Sequence, residues 1–208
     1  MIRNLLFDMG SVLVDFDPRR FVREASLSEA DALLIREELF GSIEWAQLDR
    51  GLLTDAQLLE RRKPRFPQRL WPSLERMISH WDEPPLGVEG MYELVEELSR
   101  AGFGLYLLSN AALRHDEYWP RYPVSRFFGD RLLISSHEKL MKPDLRFYRL
   151  ALERFGLDPA ECLFIDDLPI NAEAAVCCGM DALVFRGAAR LRRELTEKGL
   201  LPARPEGR

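Results

Sequence analysis

From residue 86 onward, short apolar runs alternate with amphipathic runs of helix length, and no other feature restricts the fold of this chain as strongly. Val88 to Arg100 has helical spacing and ends at Ala101-Gly102. Gly104 to Ser109, with Leu105, Tyr106, Leu107 and Leu108, reads as a buried strand, and Leu113 to Trp119 as helix. Arg131 to Ser135, Cys162 to Ile165 and Ala182 to Phe185 read as further strands; Asp144 to Phe155 and Ile170 to Cys178 read as helices closed by Gly156 and Gly179. Strands separated by helices of this length form βαβ units, and these assemble into a parallel sheet covered on both faces. The expected class is α/β, with a doubly wound parallel sheet.

One more strand lies almost at the N-terminus, where Ile2, Leu5, Leu6 and Phe7 deliver Asp8 to a strand end and Gly10 and Ser11 open a tight loop. Between that strand and residue 86 nothing reads as buried strand. The stretch instead holds amphipathic helical runs at Pro18 to Ala25, Ser28 to Phe40, Ser42 to Arg50, Thr54 to Arg61 and Ser73 to Trp81. Gly41, Gly51, Pro64, Pro67 and Pro72 punctuate them, and Asp17-Pro18 has the form of an N-cap with proline at the first helical position. The expected organisation is a core of residues 1–15 and 86–208 with an all-helical cap, residues 16–85, inserted over the carboxyl edge of the sheet. The insertion leaves and returns close to Asp8, which places it there. The tail from Pro202 to Arg208 is expected to fray.

Composition narrows the function classes. Charged residues make up 30% of 208 and the net charge is −5, so no large basic surface draws nucleic acid or an anionic membrane. No uncharged span of membrane length occurs, and Asp8 interrupts the first apolar run too early for a secretory signal. Cys162, Cys177 and Cys178 make a poor disulfide framework. The expectation is a cytoplasmic protein, monomer or homodimer, acting on a small molecule.

Ligands of open α/β sheets bind outside the carboxyl ends of the strands. Those ends carry Asp8, then Ser109-Asn110, then Lys142-Pro143 in the connection after the third strand, then Asp166-Asp167. Singly, each has a plain structural explanation: turns and helix caps for the Asp and Ser-Asn pairs, solvation for the lysine. Together at one edge they supply a hydroxyl, an ammonium and three carboxylates, a set suited to phosphoryl transfer with Mg²⁺. A small hard cation takes one or two carboxylates, waters and phosphate oxygens. Asp8 and Asp167 would bind it directly and Asp166 directly or through water, with the Gly10 carbonyl as a further oxygen. Lys142 would offset phosphate charge, Ser109 would bind phosphate oxygens, and Asp8 could attack phosphorus to give an aspartyl-phosphate that water hydrolyses.

FDMGSVLVD around Asp8, LLSN around Ser109, Lys142-Pro143, and FIDD ending at Asp167 resemble the four motifs of the haloacid dehalogenase-like hydrolase superfamily, with a helical cap after the first motif. More narrowly, LLSNAALRHDEYWPRYP and LISSHEKLMKPDLRFYRLALERFGLDPAECLFIDDLPIN resemble the branch containing bacterial α-D-glucose-1-phosphate phosphatase and the phosphatase domain of soluble epoxide hydrolase. The resemblance implies a Rossmann-like core and a Mg²⁺-dependent phosphatase acting on small phosphate monoesters, sugar phosphates foremost. It implies Asp8 as nucleophile, Ser109 and Asn110 as phosphate ligands, Lys142 steadying both, and Asp166 and Asp167 organising Mg²⁺. Asn171, one turn beyond Asp167, stands where many members carry a further metal-shell Asp.

One position departs from the family pattern. Phosphatases of the family usually carry an acid two residues after the nucleophile to protonate the leaving oxygen, and here that residue is Gly10. General acid catalysis is worth about 10²–10⁴-fold. An anomeric leaving oxygen, less basic than an ordinary alkoxide, needs less of it; a cap residue could also supply the proton, and Glu44, Asp49 and His80 are the candidates. The alternatives are a dehalogenase, in which Asp attacks carbon and needs neither acid nor metal, and a non-catalytic phospho-ligand-binding protein. Substrate choice is expected in the cap, where Trp45, Trp71 and Trp81 with Phe16 and Phe40 either form its own core or stack on a sugar, and Asp15 marks the hinge. No G-x-S-x-G elbow or complete dinucleotide fingerprint occurs, and His80, His115 and His137 are too scattered for a metal site.

Overall fold

The computed structural model describes residues 1–17, 21 and 27–203. Five parallel strands form one sheet: β1 (Asn4–Phe7), β2 (Gly104–Ser109), β3 (Leu132–Ile134), β4 (Cys162–Asp166) and β5 (Asp181–Val184), in the order β3-β2-β1-β4-β5. β1 is central, and Phe7 is in register with Leu107 on one side and Ile165 on the other. The chain winds outward from β1 through β2 to β3, then returns to the opposite side of β1 for β4. Such a reversal opens a crevice at the carboxyl edge, and here the crevice lies at Asp8.

Strand periodicity divides the core into two. Leu5 and Phe7 of β1 face one apolar cluster while Leu6 faces the other, and all three are fully buried. On the first face helix Met91–Arg100 packs Met91, Leu94, Val95 and Leu98, the i, i+3, i+4, i+7 stripe that a sheet requires of a covering helix. On the second face helix Leu145–Phe155 contributes Phe147, Tyr148 and Ala151, and helix Pro169–Cys177 its small Ala174 and Ala175.

The residues between the first two strands form helices Glu29–Ile35, Ile43–Asp49, Asp55–Arg62 and Trp71–Ser79. Ser28, Ser42 and Thr54 cap the first three by accepting from backbone N–H groups, and Thr54 with Gln57 closes a capping box. These helices pack on one another around a third apolar cluster that includes Ile35, Leu39, Leu58 and Leu74. The chain enters and leaves this block side by side: the Asp15 N–H donates to Leu86 O at 2.8 Å, and the Val88 N–H to Leu13 O at 3.1 Å.

Several boundaries differ from the sequence reading, each for a local reason. Ser28 to Phe40 is α-helical only to Ile35 and continues as a wider π-helical turn over Arg36–Phe40. The helix expected at Leu113 to Trp119 is reduced to His115–Tyr118, followed by 3₁₀ turns at Trp119–Arg121 and Pro123–Phe127; Pro120 and Pro123 have no N–H to continue an α-helix. The third strand stops at Ile134, because Ser135 already begins the short helix Ser135–Glu138. Helix Ala188–Glu197 was not anticipated: its apolar stripe is thin, with Leu191 and Leu195 buried, and Arg192 ties it to Glu97 at 2.7 Å. The expected helix at Pro18 to Ala25 and most of the expected frayed tail lie outside the described residues. Among the described residues no helix is long and apolar enough to cross a membrane.

The helical block is latched to the core at the turn after Ile43–Asp49. Ser135 Oγ donates to Asp49 O at 2.5 Å and accepts from the Ala111 N–H at 2.9 Å; Lys139 Nζ donates to Gly51 O at 2.7 Å. Gly51 has φ +64°, and a Cβ there would overlap the Ser136 carbonyl oxygen and the Lys139 ammonium. Gly51→Ala is therefore expected to cost about 1–3 kcal/mol, a size typical of forced backbone strain. Differential scanning calorimetry would show it as a lowered midpoint; an unchanged midpoint would mean that this turn is not pinned.

Candidate active site

The sheet register brings the predicted strand-end residues together. Asp8 follows β1 and its N–H still donates to Ile165 O at 2.9 Å, so it remains tied to β4. Lys142, fully buried, reaches it from the connection after β3: Nζ lies 2.7 Å from Asp8 Oδ1 and 2.7 Å from Asp166 Oδ2. Asp8 Oδ1 also accepts from the Met9 N–H at 2.6 Å. The bonds to this carboxylate thus fall on Oδ1, which fixes the group and leaves Oδ2 uncommitted among the described residues.

Asp166 is the most thoroughly held residue of the cluster. Besides Lys142, it accepts from the Leu168 N–H at 2.9 Å and from Asn171 Nδ2 at 3.0 and 3.1 Å. Asn171 therefore acts on the cluster by orienting Asp166. One oxygen each of Asp8, Asp166 and Asp167 lie within 4.8 Å of one another, close enough to share a cation. Three carboxylates against one ammonium leave the cluster short of positive charge, and oxygen donors of this kind suit Mg²⁺. Burial pushes the Asp8 carboxyl upward, the Asp166 and Asp167 charges add to this, and Lys142 opposes it. Burial and the Asp166 charge likewise raise Asp167. For Lys142 burial alone would favour the neutral amine, but its two carboxylates outweigh that and hold it charged, above the ordinary lysine range.

Ser109 and Asn110 play different parts. Ser109 Oγ is buried and has no hydrogen-bond partner among the described residues. A buried hydroxyl without a partner is costly, which makes it a ready ligand for an incoming oxygen. The Asn110 side chain is already committed, donating from Nδ2 to Lys142 O at 3.0 Å and accepting at Oδ1 from the Lys142 N–H at 2.8 Å. It grips the lysine backbone, so only its main-chain N–H remains for a phosphate.

Above this edge the helical block encloses a small cavity of about 80 Å³, lined by Gly10, Phe16, Trp45, Asp49, Trp81 and Tyr118 among others. Of the aromatic residues considered in the sequence, Phe16, Trp45 and Trp81 line it. Trp71 instead donates from Nε1 to Lys63 O at 3.1 Å within the helical block. The three donor candidates also separate. Glu44 is bound to Arg62, 3.2 Å away, and does not line the cavity. His80 is exposed, faces Glu83 at 3.7 Å and belongs to a different surface groove. Asp49 does line the cavity, and burial with the nearby Asp8 charge raises its carboxyl to about 7.

Sequence reasoning passed over Ser135 and Arg114. Ser135 stands at the end of β3, the same edge that singled out Asp8, Ser109 and Asp166, and that rule alone would have found it. Arg114 lines the cavity, 3.0 Å from Asp55 and 2.5 Å from the buried Asp82. Nothing in its sequence neighbourhood marks it, because both partners come from the distant helical block.

A family profile of haloacid dehalogenase-like hydrolases matches residues 2–179. The chain belongs to this family. It is 28% identical over 182 residues to the sesquiterpene phosphatase astK of Aspergillus oryzae, covering 86% of this chain and 87% of that one. It is 25% identical to the phosphorylated carbohydrates phosphatase of Thermotoga maritima, covering 86% and 82%. With flavin mononucleotide hydrolase 1 of Arabidopsis thaliana it shares 28% identity over 113 residues, and the match spans under half, 46%, of that relative and 54% of this chain. The fold is that of a HAD-family enzyme from Bacteroides thetaiotaomicron, solved with magnesium and inorganic phosphate: TM-score 0.68, 24% identity, 90% of this chain and 96% of the other. The haloacid dehalogenase-like assignment establishes a hydrolase whose named relatives include phosphatases.

Proposed function

We propose that this hydrolase is a Mg²⁺-dependent phosphatase of small phosphate monoesters, sugar phosphates foremost, working through an aspartyl-phosphate on Asp8. The observation that carries the reading is the unpartnered, buried Ser109 hydroxyl at the same sheet edge as Asp8, Lys142, Asp166 and Asp167. A carboxylate nucleophile, a buried ammonium and a free hydroxyl together match the needs of a phosphoryl group: attack, charge neutralisation and a hydrogen bond to a non-bridging oxygen.

Asp8, Asp166 and Asp167, with the Gly10 carbonyl, would hold Mg²⁺, which when bound offsets the charge of phosphate and nucleophile. The remaining chemistry belongs to the chain. Lys142 favours the ionised form of Asp8 and turns Oδ2 toward phosphorus; Ser109 and the Asn110 N–H hold the phosphoryl oxygens; Asn171 and the Leu168 N–H keep Asp166 from rotating. Residues 16–85 act as a cap that closes over the ester at the Asp15–Leu86 crossing and keeps water away until the leaving group has gone. Phe16, Trp45 and Trp81 give the cavity flat apolar walls, suited to a ring-shaped leaving group.

Phosphate release from p-nitrophenyl phosphate and a panel of sugar phosphates, with Mg²⁺ and with chelator, tests the reading. Metal-dependent turnover supports it. Halide release from 2-haloacids without phosphatase activity would instead favour the dehalogenase to which Gly10 points, and tight phosphate binding without turnover would favour the non-catalytic alternative.

Ser109→Ala gives a second check. It removes one hydrogen bond to a charged oxygen, worth about 1.5–3 kcal/mol, so inorganic phosphate should inhibit about 10- to 100-fold less well. Thermal stability should hold or rise slightly, because the hydroxyl has no partner to lose. Unchanged inhibition would remove Ser109 from the phosphate site.

A further inference from the structure

Gly10 leaves the first step without the usual source of a proton, and two acids line the same space, Asp49 and Asp55, of which Asp55 is paired with Arg114 at 3.0 Å. Asp49 lines the cavity together with Met9 and Gly10, at the last position of helix Ile43–Asp49. Its backbone is held on the core by the Ser135 Oγ bond to Asp49 O. The next residue but one, Gly51, is fixed by Lys139. Asp49 thus belongs to the helical insertion by sequence but is anchored at the sheet edge that carries Asp8.

The electrostatics of this position favour the neutral acid. The negative end of a helix dipole opposes a carboxylate in the last turn. Burial acts in the same direction, and so does the charge of Asp8; Lys142 opposes both, and the carboxyl is raised to about 7. Tyr118, Asp55 and Arg114 line the same cavity, with Arg114 engaged by Asp55 and Asp82 and so unavailable to hold Asp49 ionised. A carboxyl that keeps its proton near neutrality has the property required of a general acid.

We propose that Asp49 is the proton donor to the leaving oxygen, the role that the residue at position 10 cannot fill. This rests on the phosphatase reading above. As Asp8 Oδ2 bonds to phosphorus, the bond between phosphorus and the ester oxygen breaks. That oxygen keeps the electron pair and takes the Asp49 proton, leaving as an alcohol. Asp49, now ionised, accepts a proton from the water that attacks the aspartyl-phosphate; Asp8 and inorganic phosphate are released and Asp49 is protonated again.

The test compares wild type, Asp49→Asn and the double variant Gly10→Asp, Asp49→Asn on esters graded by leaving-group basicity, from p-nitrophenyl phosphate to glycerol phosphate. Asn keeps the shape and the backbone anchor of Asp49, and thermal midpoints check that each variant is folded. Asp49→Asn is expected to lower kcat/KM about 10²–10⁴-fold on alkyl esters and by less than about tenfold on p-nitrophenyl phosphate, whose leaving group needs no proton. The double variant is expected to recover alkyl-ester turnover, because a Cβ at Gly10 meets only Phe16 Cβ, at 3.7 Å. A loss of equal size on every ester would make Asp49 a positioning residue, and no loss on alkyl esters would give it no part; either result overturns the proposal. If wild type itself hydrolyses no phosphate ester, the phosphatase reading fails first, a different result from both.

Discussion

Asp8→Asn is expected to lower phosphate release by about 10⁴-fold or more while leaving the protein folded, because it removes the group to which phosphorus is transferred and no neighbour can replace it. Asp166 is fully buried with its oxygens bonded to Lys142, Asn171 and the Leu168 N–H. Asp167 is a neighbour of Asp8 but follows a different strand. Stability should move the other way from activity. The substitution removes one of three clustered carboxylates and leaves Lys142 paired with Asp166, so the unfolding free energy should stay within about 1 kcal/mol or increase, as expected where a site is built against its own stability. Measured turnover and a thermal scan on the same preparation check both halves. Retained turnover would mean that another residue carries the phosphoryl group.

Lys142→Met is expected to be damaging in both respects. Its ammonium is buried between Asp8 and Asp166 at 2.7 Å from each, and nothing else of positive charge contacts either carboxylate among the described residues. Removing one partner of a buried pair leaves an uncompensated charge, at a cost of about 3–5 kcal/mol. For a chain of this size that corresponds to roughly 10 °C in midpoint. The direction with pH follows from Asp8, whose carboxyl burial already raises: as pH falls and it takes up a proton, part of the uncompensated charge disappears, so the gap between variant and wild type should narrow in acid. Added Mg²⁺ should narrow it as well at neutral pH, by supplying charge to the same oxygens. A midpoint within about 3 °C of wild type would show that Lys142 does not offset buried charge in the folded protein.

How far the sequence reveals this molecule depends on the range of the interactions involved. The central strands were legible because they are largely buried on both faces and read as continuous apolar runs; β2 matches its expected limits and β4 runs one residue further, to Asp166. Their ends were legible for the same reason, since a polar residue directly after such a run lies at the sheet edge. The meeting of Asp8, Asp166 and Asp167 followed from that rule and from the parallel order, and Lys142 was placed beside them only by the connection that carries it and by the motif resemblance. What Asn110 does was not legible: its side chain binds a backbone 32 residues away in sequence, and no local pattern encodes that contact. The same limit applied to Glu44, Asp49 and His80. All three sit on amphipathic helices or their ends, and only the packing of those helices against Ser135, Lys139 and one another decides that Asp49 faces the cavity, Glu44 faces Arg62 and His80 faces outward. The C-terminal helix Ala188–Glu197 escaped notice because two buried leucines among arginines and glutamates give little periodic signal until Met91–Arg100 is there to receive them.

The measurement that bears most directly on the central claim is capture of the covalent intermediate. Wild-type protein mixed with Mg²⁺ and a turned-over ester, quenched in acid during the first turnover and digested, should yield the N-terminal peptide containing Asp8 heavier by one phosphoryl group, with the label lost on treatment with hydroxylamine, as an acyl phosphate requires. The Asp8→Asn protein should give none. Turnover with a phosphoryl label on any other residue, or a carboxylate ester of the substrate's carbon skeleton on Asp8, would contradict the account, the second by making Asp8 an attacker of carbon.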